Sequence, residues 1–385
     1  MKVQILVVLL AFISLGSEAQ SYIKTKAQAG DGIYVLLGRY NLERSECNYN
    51  HFCKLNSLKK NSYLIIGRTY SLPLQKYTFN GKSIRSTVGI KDWQTAKQIE
   101  RYNDVMQTLG RKDSDFRRGK KELWVPYHIK KCPTNMDQFI PKNRSFPIFG
   151  KDYADVPLKD KKLAGAVYYL VAGHGGPDPG AMAKYNGKTI SEDEYAYDIT
   201  LRLARNLISH GAIVYLIIRD ANDGIRNEMY LPCDMDERCW GNEVLPLGQK
   251  ERLTQRSDVI NKLYIQNRQR GIEYQRTIAI HVDSRSKSER IDLFFYHYPD
   301  NQISKMMATR LHKTMKDKYS IHRKSGEYHG TVTGRDLHML REIKPTSVFI
   351  EVGNIQNKAD QKRFLLASNR KALADWMTEG LLKDY

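Results

Sequence analysis

No apolar run in the chain is long enough to cross a bilayer. The longest, Val3 to Leu15, has 13 residues, whereas a spanning helix needs about 20. It follows Lys2 and leads to Ser17-Glu18-Ala19, with small residues at the two positions a signal peptidase reads. Residues 1–19 are therefore expected to be a signal peptide, cut after Ala19. No cysteine follows the run, so a lipid anchor there is not expected. The mature protein is expected in the periplasm or secreted, without stable membrane insertion. Acidic residues are also in deficit, with 42 Asp and Glu facing 62 Lys and Arg for a formal net charge of +20. Most of the excess lies before Asp160: Gln20 to Lys159 carries 26 basic and 12 acidic residues, and Asp160 to Tyr385 carries 35 and 29. Nucleic acid is the first partner such basicity suggests, but an exported chain seldom meets it. An anionic cell-envelope polymer or acidic peptides fit the compartment better.

Cysteine is scarce, at five residues, in a chain bound for a compartment where disulfides persist. Cys47 with Cys53, and Cys233 with Cys239, share one spacing. Two short-loop disulfides and a lone Cys132 are the simplest assignment. Neither pair has the C-x2-C spacing of a structural zinc site. What is plentiful is aromatic area: 24 Tyr and 11 Phe exclude a disordered chain and supply packed cores.

Residues 22–73 read strand, helix, helix, strand, with the last strand stopped by Pro73. The Gly30-Asp31 turn, Leu55-Asn56-Ser57-Leu58, and Gly67 with Leu72-Pro73 resemble a LysM module, a glycan-binding unit, over residues 20–75. Residues 84–127 look like a degenerate second copy. Asp92 to Leu109 has helical spacing, and Gly119 to Pro126 echoes the earlier Gly67 to Pro73. Residues 128–160 hold four prolines without clear period and are read as a linker. From residue 161 to 385 the chain alternates apolar strands with helices, which predicts an α/β domain with a central sheet covered on both faces.

Functional groups in such sheets gather at the carboxyl ends of strands. Gly173-His174-Gly175-Gly176-Pro177-Asp178 follows the first strand, where a histidine among glycines is open to ligands. His281 ends the apolar strand Thr277 to Ile280, Glu192 opens a helix, and Glu351 sits inside Phe349-Ile350-Glu351-Val352. Two imidazoles and a carboxylate leave a zinc ion one open position for water. A further buried carboxylate could then move the proton.

Together these segments resemble the zinc-dependent N-acetylmuramoyl-L-alanine amidases. The likeness extends to Arg219-Asp220, Leu253-Thr254-Gln255-Arg256, Leu340-Arg341 and the Glu351-Val352-Gly353 segment with Asn357. The resemblance implies one zinc ion held by His174, Glu192 and His281, with Glu351 as general base and acid. It also implies Arg256 and Asn357 as substrate-binding groups, and peptidoglycan or muropeptides as substrate. Three positions depart from the family pattern: Val171, Asp283 and Asn354. Residues 222–247 read as an insertion carrying Cys233 and Cys239. A protein activator is an open expectation. The rival readings are a non-catalytic glycan-binding protein with a degenerate hydrolase domain, and a zinc peptidase cutting another peptidoglycan bond.

Overall fold

The computed structural model describes residues 21–42, 45–132, 136–323 and 327–385. The expected signal peptide lies outside these residues. None of the described helices is long and apolar enough to cross a membrane.

The N-terminal unit runs β1 (Ser21–Lys26), α1 (Ile33–Gly38), α2 (Glu46–Leu55), β2 (Thr69–Thr78), α3 (Ile84–Val88), α4 (Trp93–Thr108), β3 (Glu122–Pro126) and α5 (Tyr127–Lys131). Its one antiparallel sheet has the order β1-β2-β3. The two stretches expected as separate modules are thus two halves built on a shared central strand. Pro73 does not stop that strand. It lies opposite the register shift between Tyr22 and Lys24 on one side, and one residue before pairing with β3 begins at Leu74, so its missing N–H costs no ladder bond. Side-chain caps start the helices, Ser45 on α2 and Asp92 on α4.

Cysteine pairing departs from expectation. Cys47 is bonded to Cys132, 85 residues away, and Cys53, Cys233 and Cys239 are free. Cys47 and Cys53 lie on one helix, where six residues rise about 9 Å, beyond the roughly 7 Å a disulfide tolerates. Cys239 is drawn into the core by its strand pairing with Ile218, while Cys233 stays exposed.

The segment expected as a linker is instead wall. Phe139, Phe149 and Val156 are buried in the core of the C-terminal domain. Arg144 donates to the carbonyls of Val156 and Ile208.

The C-terminal domain continues with β4 (Val167–Ala172), the hairpin β5 (Met182–Tyr185) and β6 (Lys188–Ser191), and α6 (Glu192–Ser209). Next come β7 (Ile213–Leu216), β8 (Ile218–Arg219), β9 (Arg238–Cys239), β10 (Glu243–Val244), α7 (Gln249–Gln269) and β11 (Gln275–Asp283). The chain ends with β12 (Phe294–His297), α8 (Gln302–His322), β13 (Thr331–Gly334), α9 (His338–Arg341), β14 (Thr346–Asn354), α10 (Lys358–Leu365) and α11 (Ala367–Asp384). The main sheet has the order β13-β12-β14-β11-β4-β7. The four strands β14, β11, β4 and β7 are parallel, and β12 with β13 runs against them. All six residues of β4 are buried, as expected of a strand covered on both faces.

Charge is buried with its partners. Arg370 is fully buried, bonds Asp198 at 2.6 Å, and donates to the carbonyls of Phe364, Leu365, Arg226 and Glu228. Arg202 bonds the same carboxylate at 2.7 Å.

Two outcomes follow. Non-reducing peptide mapping should give a linked Cys47–Cys132 fragment, and reduction should cost stability of about 2–4 kcal/mol, typical for a disulfide closing a long loop, read as a lower melting temperature. Replacing Arg370 by Met should cost about 3 kcal/mol, the lower end for breaking a buried ion pair, because Arg202 still holds Asp198 while the Phe364, Leu365 and Glu228 carbonyls lose their guanidinium donor, measurable by urea titration.

Candidate metal centre

The site is set by strand register. His281 on β11 stands beside Glu351 on β14, and Phe349, two residues earlier, shares the face of Glu351. The His281 ring stacks on Phe349 with centroids 4.1 Å apart. β4 delivers the third element, since its chain turns sharply at Gly173-His174-Gly175-Gly176. His174, Gly175 and Gly176 all have positive φ.

Glycine is required here by space. A Cβ on Gly173 would lie 2.4 Å from Nδ1 of His281, and one on Gly180 would lie 2.7 Å from the His174 ring and 2.8 Å from Glu192.

Glu192, the first residue of α6, joins the two histidines. Its Oε2 lies 3.2 Å from His174 Nε2 and its Oε1 lies 2.8 Å from His281 Nδ1. The backbone N–H groups of Ala181 and Val282 donate to the same carboxylate, each at 3.0 Å. Burial alone would raise the Glu192 carboxyl, but hydrogen bonds from both imidazoles hold it well below the usual range. Burial alone would likewise depress His174, yet hydrogen bonding to Asp178 and Glu192 raises it to about 10. His281 is lowered by its burial. The ligand atoms of His174, Glu192 and His281 all lie within 4.8 Å of one another.

This donor set fits a metal ion. Two imidazoles and one carboxylate converge within glycine-made space, and the other His174 nitrogen, Nδ1, is held by Asp178 at 3.0 Å. Such an outer carboxylate orients a ligating imidazole. Asp178 is itself held below the normal range by His174 and by Arg252 at 2.8 Å. Glu351 is 9% exposed, and its Oε2 has no hydrogen-bond partner among the described residues. Burial, then the charges of Glu192 and Asp283, push its carboxyl well above the ordinary value. A buried acid with a free oxygen beside a metal-competent trio is placed to hold or move a proton.

Of the two residues expected to bind substrate, Asn357 has its amide engaged elsewhere, while Arg256 lies in the cleft with its Nε unpartnered among the described residues. Arg256 is buried, donates to the His174 carbonyl at 2.6 Å, and is lowered by burial to about 10. It lines the same cleft as His174 and His281, yet its hydrogen bond goes to the ligand loop. Asn357 caps α10 through Ala359 and Asp360 and donates to the Lys287 carbonyl; both ends of its amide are used. The departures from the family pattern also have local reasons. Asp283 pairs with Arg285 at 2.6 Å, and Asn354, fully buried, donates to the Ser286 and Glu289 carbonyls.

Asp178, Arg252 and Phe349 were not assigned roles from sequence. Only Asp178 had a signal, its place four residues after His174 within a glycine-rich turn. Glu237, from the insertion, accepts the Gly176 N–H at 2.6 Å and carried no signal at all.

An α/β sheet whose strand ends bring two imidazoles, a carboxylate and a buried glutamate together has the donor set a metal-dependent hydrolase requires. Residues 169–383 match the family model of the N-acetylmuramoyl-L-alanine amidases, and the chain belongs to that family. It is 22% identical over 225 residues to the germination-specific N-acetylmuramoyl-L-alanine amidase of Bacillus subtilis, covering 57% of this chain and 80% of that protein. It is 23% identical over 228 residues to the probable cell wall amidase LytH of Staphylococcus aureus, covering 59% of this chain and 61% of that protein. Among solved structures, the CwlD amidase of Clostridioides difficile, in complex with the GerS lipoprotein, aligns with a TM-score of 0.43 at 23% identity, over 57% of this chain and 98% of that one. The catalytic domain of CwlV from Bacillus (Paenibacillus) polymyxa aligns with a TM-score of 0.40 at 19% identity, over 56% and 96%.

Gly173→Ala tests the metal-holding geometry. Gly173 does not have a left-handed backbone, so the added methyl acts only through its clash with the His281 ring. The variant should keep its far-ultraviolet circular dichroism and lose most of its bound divalent metal by elemental analysis. Unchanged stoichiometry would show that His281 is not held where the geometry puts it.

Proposed function

We propose that this protein is a zinc-dependent amidase, which cleaves the amide between N-acetylmuramic acid and L-alanine of peptidoglycan outside the cytoplasm. The observation carrying this reading is the single Glu192 carboxylate joining His174 and His281, with Glu351 in register beside His281. His174, Glu192 and His281 would hold the ion. The chemistry a zinc ion supplies when bound is a lowered pKa for water and polarisation of a carbonyl.

The residues of the chain do the rest. Glu351, on a rigid central strand, takes the proton of the attacking water as the lactyl carbonyl is approached. It then returns that proton to the alanine nitrogen as the C–N bond breaks, so the amine leaves neutral. Asp178 engages Nδ1 of His174, which leaves Nε2 as the nitrogen that would hold the ion. Phe349, stacked on His281, closes one side of the site to solvent.

The N-terminal unit, read as LysM-like, would hold glycan and raise the local concentration of substrate. Tyr34, Tyr63, Ile65 and Ile66 stand exposed on it, a surface suited to sugar faces, and its positive charge suits acidic stem peptides. We assign residues 161–385 as the catalytic domain and residues 1–19 as a signal peptide.

Purified protein loaded with zinc and incubated with peptidoglycan should release stem peptides bearing free N-terminal L-alanine, identified by mass spectrometry. Glu351→Ala should lower that release by at least about 10²-fold, the lower end of what a general acid–base contributes, while still binding zinc. Peptides beginning at another residue would favour a peptidase, and no release by either form would sink the enzymatic reading.

A further inference from the structure

Behind the catalytic loop lies a second group of acids that the amidase chemistry does not use. Glu194, in the first turn of α6, meets Asp234 and Glu237 from the 222–247 insertion, with one oxygen of each within 4.8 Å of the others. Glu194 and Glu237 are 2% and 5% exposed. One cation reaches this trio: Arg226 bonds Glu194 Oε2 at 2.8 Å and also pairs with Asp223. Among the described residues, no ion pair reaches Asp193, Asp234 or Glu237.

A helix N-terminus accounts for Asp193 and Glu194, because acidic side chains there suit the dipole. It does not account for Asp234 and Glu237, which belong to a different segment. A separate observation points to a missing partner. Asp193 is 2% exposed, its carboxylate lies within 4.8 Å of the Glu194 oxygen, and its Oδ2 has no hydrogen-bond partner among the described residues. The buried Oδ1 of Asp234 is unpartnered as well. Buried carboxylate oxygens without donors are costly unless a cation takes them.

We propose that Glu194, Asp234 and Glu237, backed by Asp193, form a second cation site that takes a hard divalent ion of the calcium type. All these donors are oxygens, the preference of such ions. At bonds of 2.3–2.6 Å, two oxygens across a calcium ion stand up to about 5 Å apart, a span the three carboxylates already meet, with Glu194 also accepting from the Asp234 N–H and from Arg226 and with water completing the shell. The ion ties the insertion to the start of α6. Because Glu237 also accepts the Gly176 N–H, the ion braces the turn that carries His174. The Cys233 sulfur lies within 4.8 Å of Asp193 and Glu194 oxygens, and a thiolate would recruit a softer ion, so Cys233→Ser separates an oxygen-only site from a mixed one.

The test uses the full chain with its catalytic metal in place, dialysed free of calcium and titrated with calcium alone up to about 10 mM, beyond the 10⁻⁴–10⁻³ M range of extracellular calcium modules. Bound ion is counted by equilibrium dialysis with labelled calcium, and the melting temperature is followed in parallel. One ion per chain is expected in the wild type and in Cys233→Ser, both with the catalytic metal in place, and in His174→Ala, which tests the site without that metal, with a rise in melting temperature. Asp234→Asn, at a partly exposed loop position, should bind at least tenfold more weakly and lose the rise, and Glu237→Gln should do the same. Absence of calcium binding in the wild type would overturn the proposal. So would binding that survives both carboxylate substitutions, or binding abolished by Cys233→Ser or His174→Ala.

Discussion

One buried carboxylate holds the catalytic end of this domain together. Glu192 takes hydrogen bonds from two imidazoles and two backbone amides, and these come from three separate stretches: the turn after β4, the residue before β5, and the end of β11. A carboxylate this deeply buried is unfavourable unless its charge is matched. The site therefore closes only when all three stretches arrive, and each is aimed by the same constraint. The following three turns of α6 are almost wholly buried, so the helix that presents Glu192 is also a main face of the core. The chemistry and the fold are coupled at one residue.

Rigidity comes from the sheet, and access comes from glycine. His281, Phe349 and Glu351 stand on two central parallel strands whose register fixes their spacing. His174 instead rides on a turn with successive positive φ values, which only a glycine-rich stretch allows without strain. That turn is held from several sides: Arg256 on the His174 carbonyl, Asp178 on the ring, Glu237 on the Gly176 N–H. The insertion is thus part of the scaffolding of the site, not an appendage.

Much of this was legible in the sequence, for physical reasons. Fully apolar strands and periodic helices announce a covered sheet, and His174, Glu192, His281 and Glu351 stand out because polar groups at apolar strand ends are expensive. What was not legible depends on distance along the chain. Cys47 finds Cys132 rather than Cys53, because helix geometry separates near neighbours and the shared strand β2 folds remote ones together. Pro73 reads as a strand end, yet its place opposite a register shift removes the penalty. Asn357 sits in a segment resembling the family's, but its side chain is spent on a helix cap and a backbone carbonyl, which no spacing rule reports. The aromatic run ending at His297 reads as a strand, but no residue pattern reports that β12 runs against its neighbour β14, and β13 is too short and polar to show.

The N-terminal unit docks at the far end of the sheet from the catalytic residues. Arg101 meets the Tyr385 carbonyl and lies over the rings of Tyr274 and Tyr385, Arg310 bridges Asp104 and Asp384, and Gln94 reaches the Lys161 carbonyl. Tyr274 and Lys161 precede β11 and β4, whereas His281 and His174 lie at the other ends of those strands. At about 3.3 Å per residue, the run from Tyr274 to His281 along β11 puts on the order of 20 Å between the two. The molecule is in this respect a spacer: anything bound at the N-terminal half would be set off from the His174–Glu192–His281 cluster by most of a strand's length.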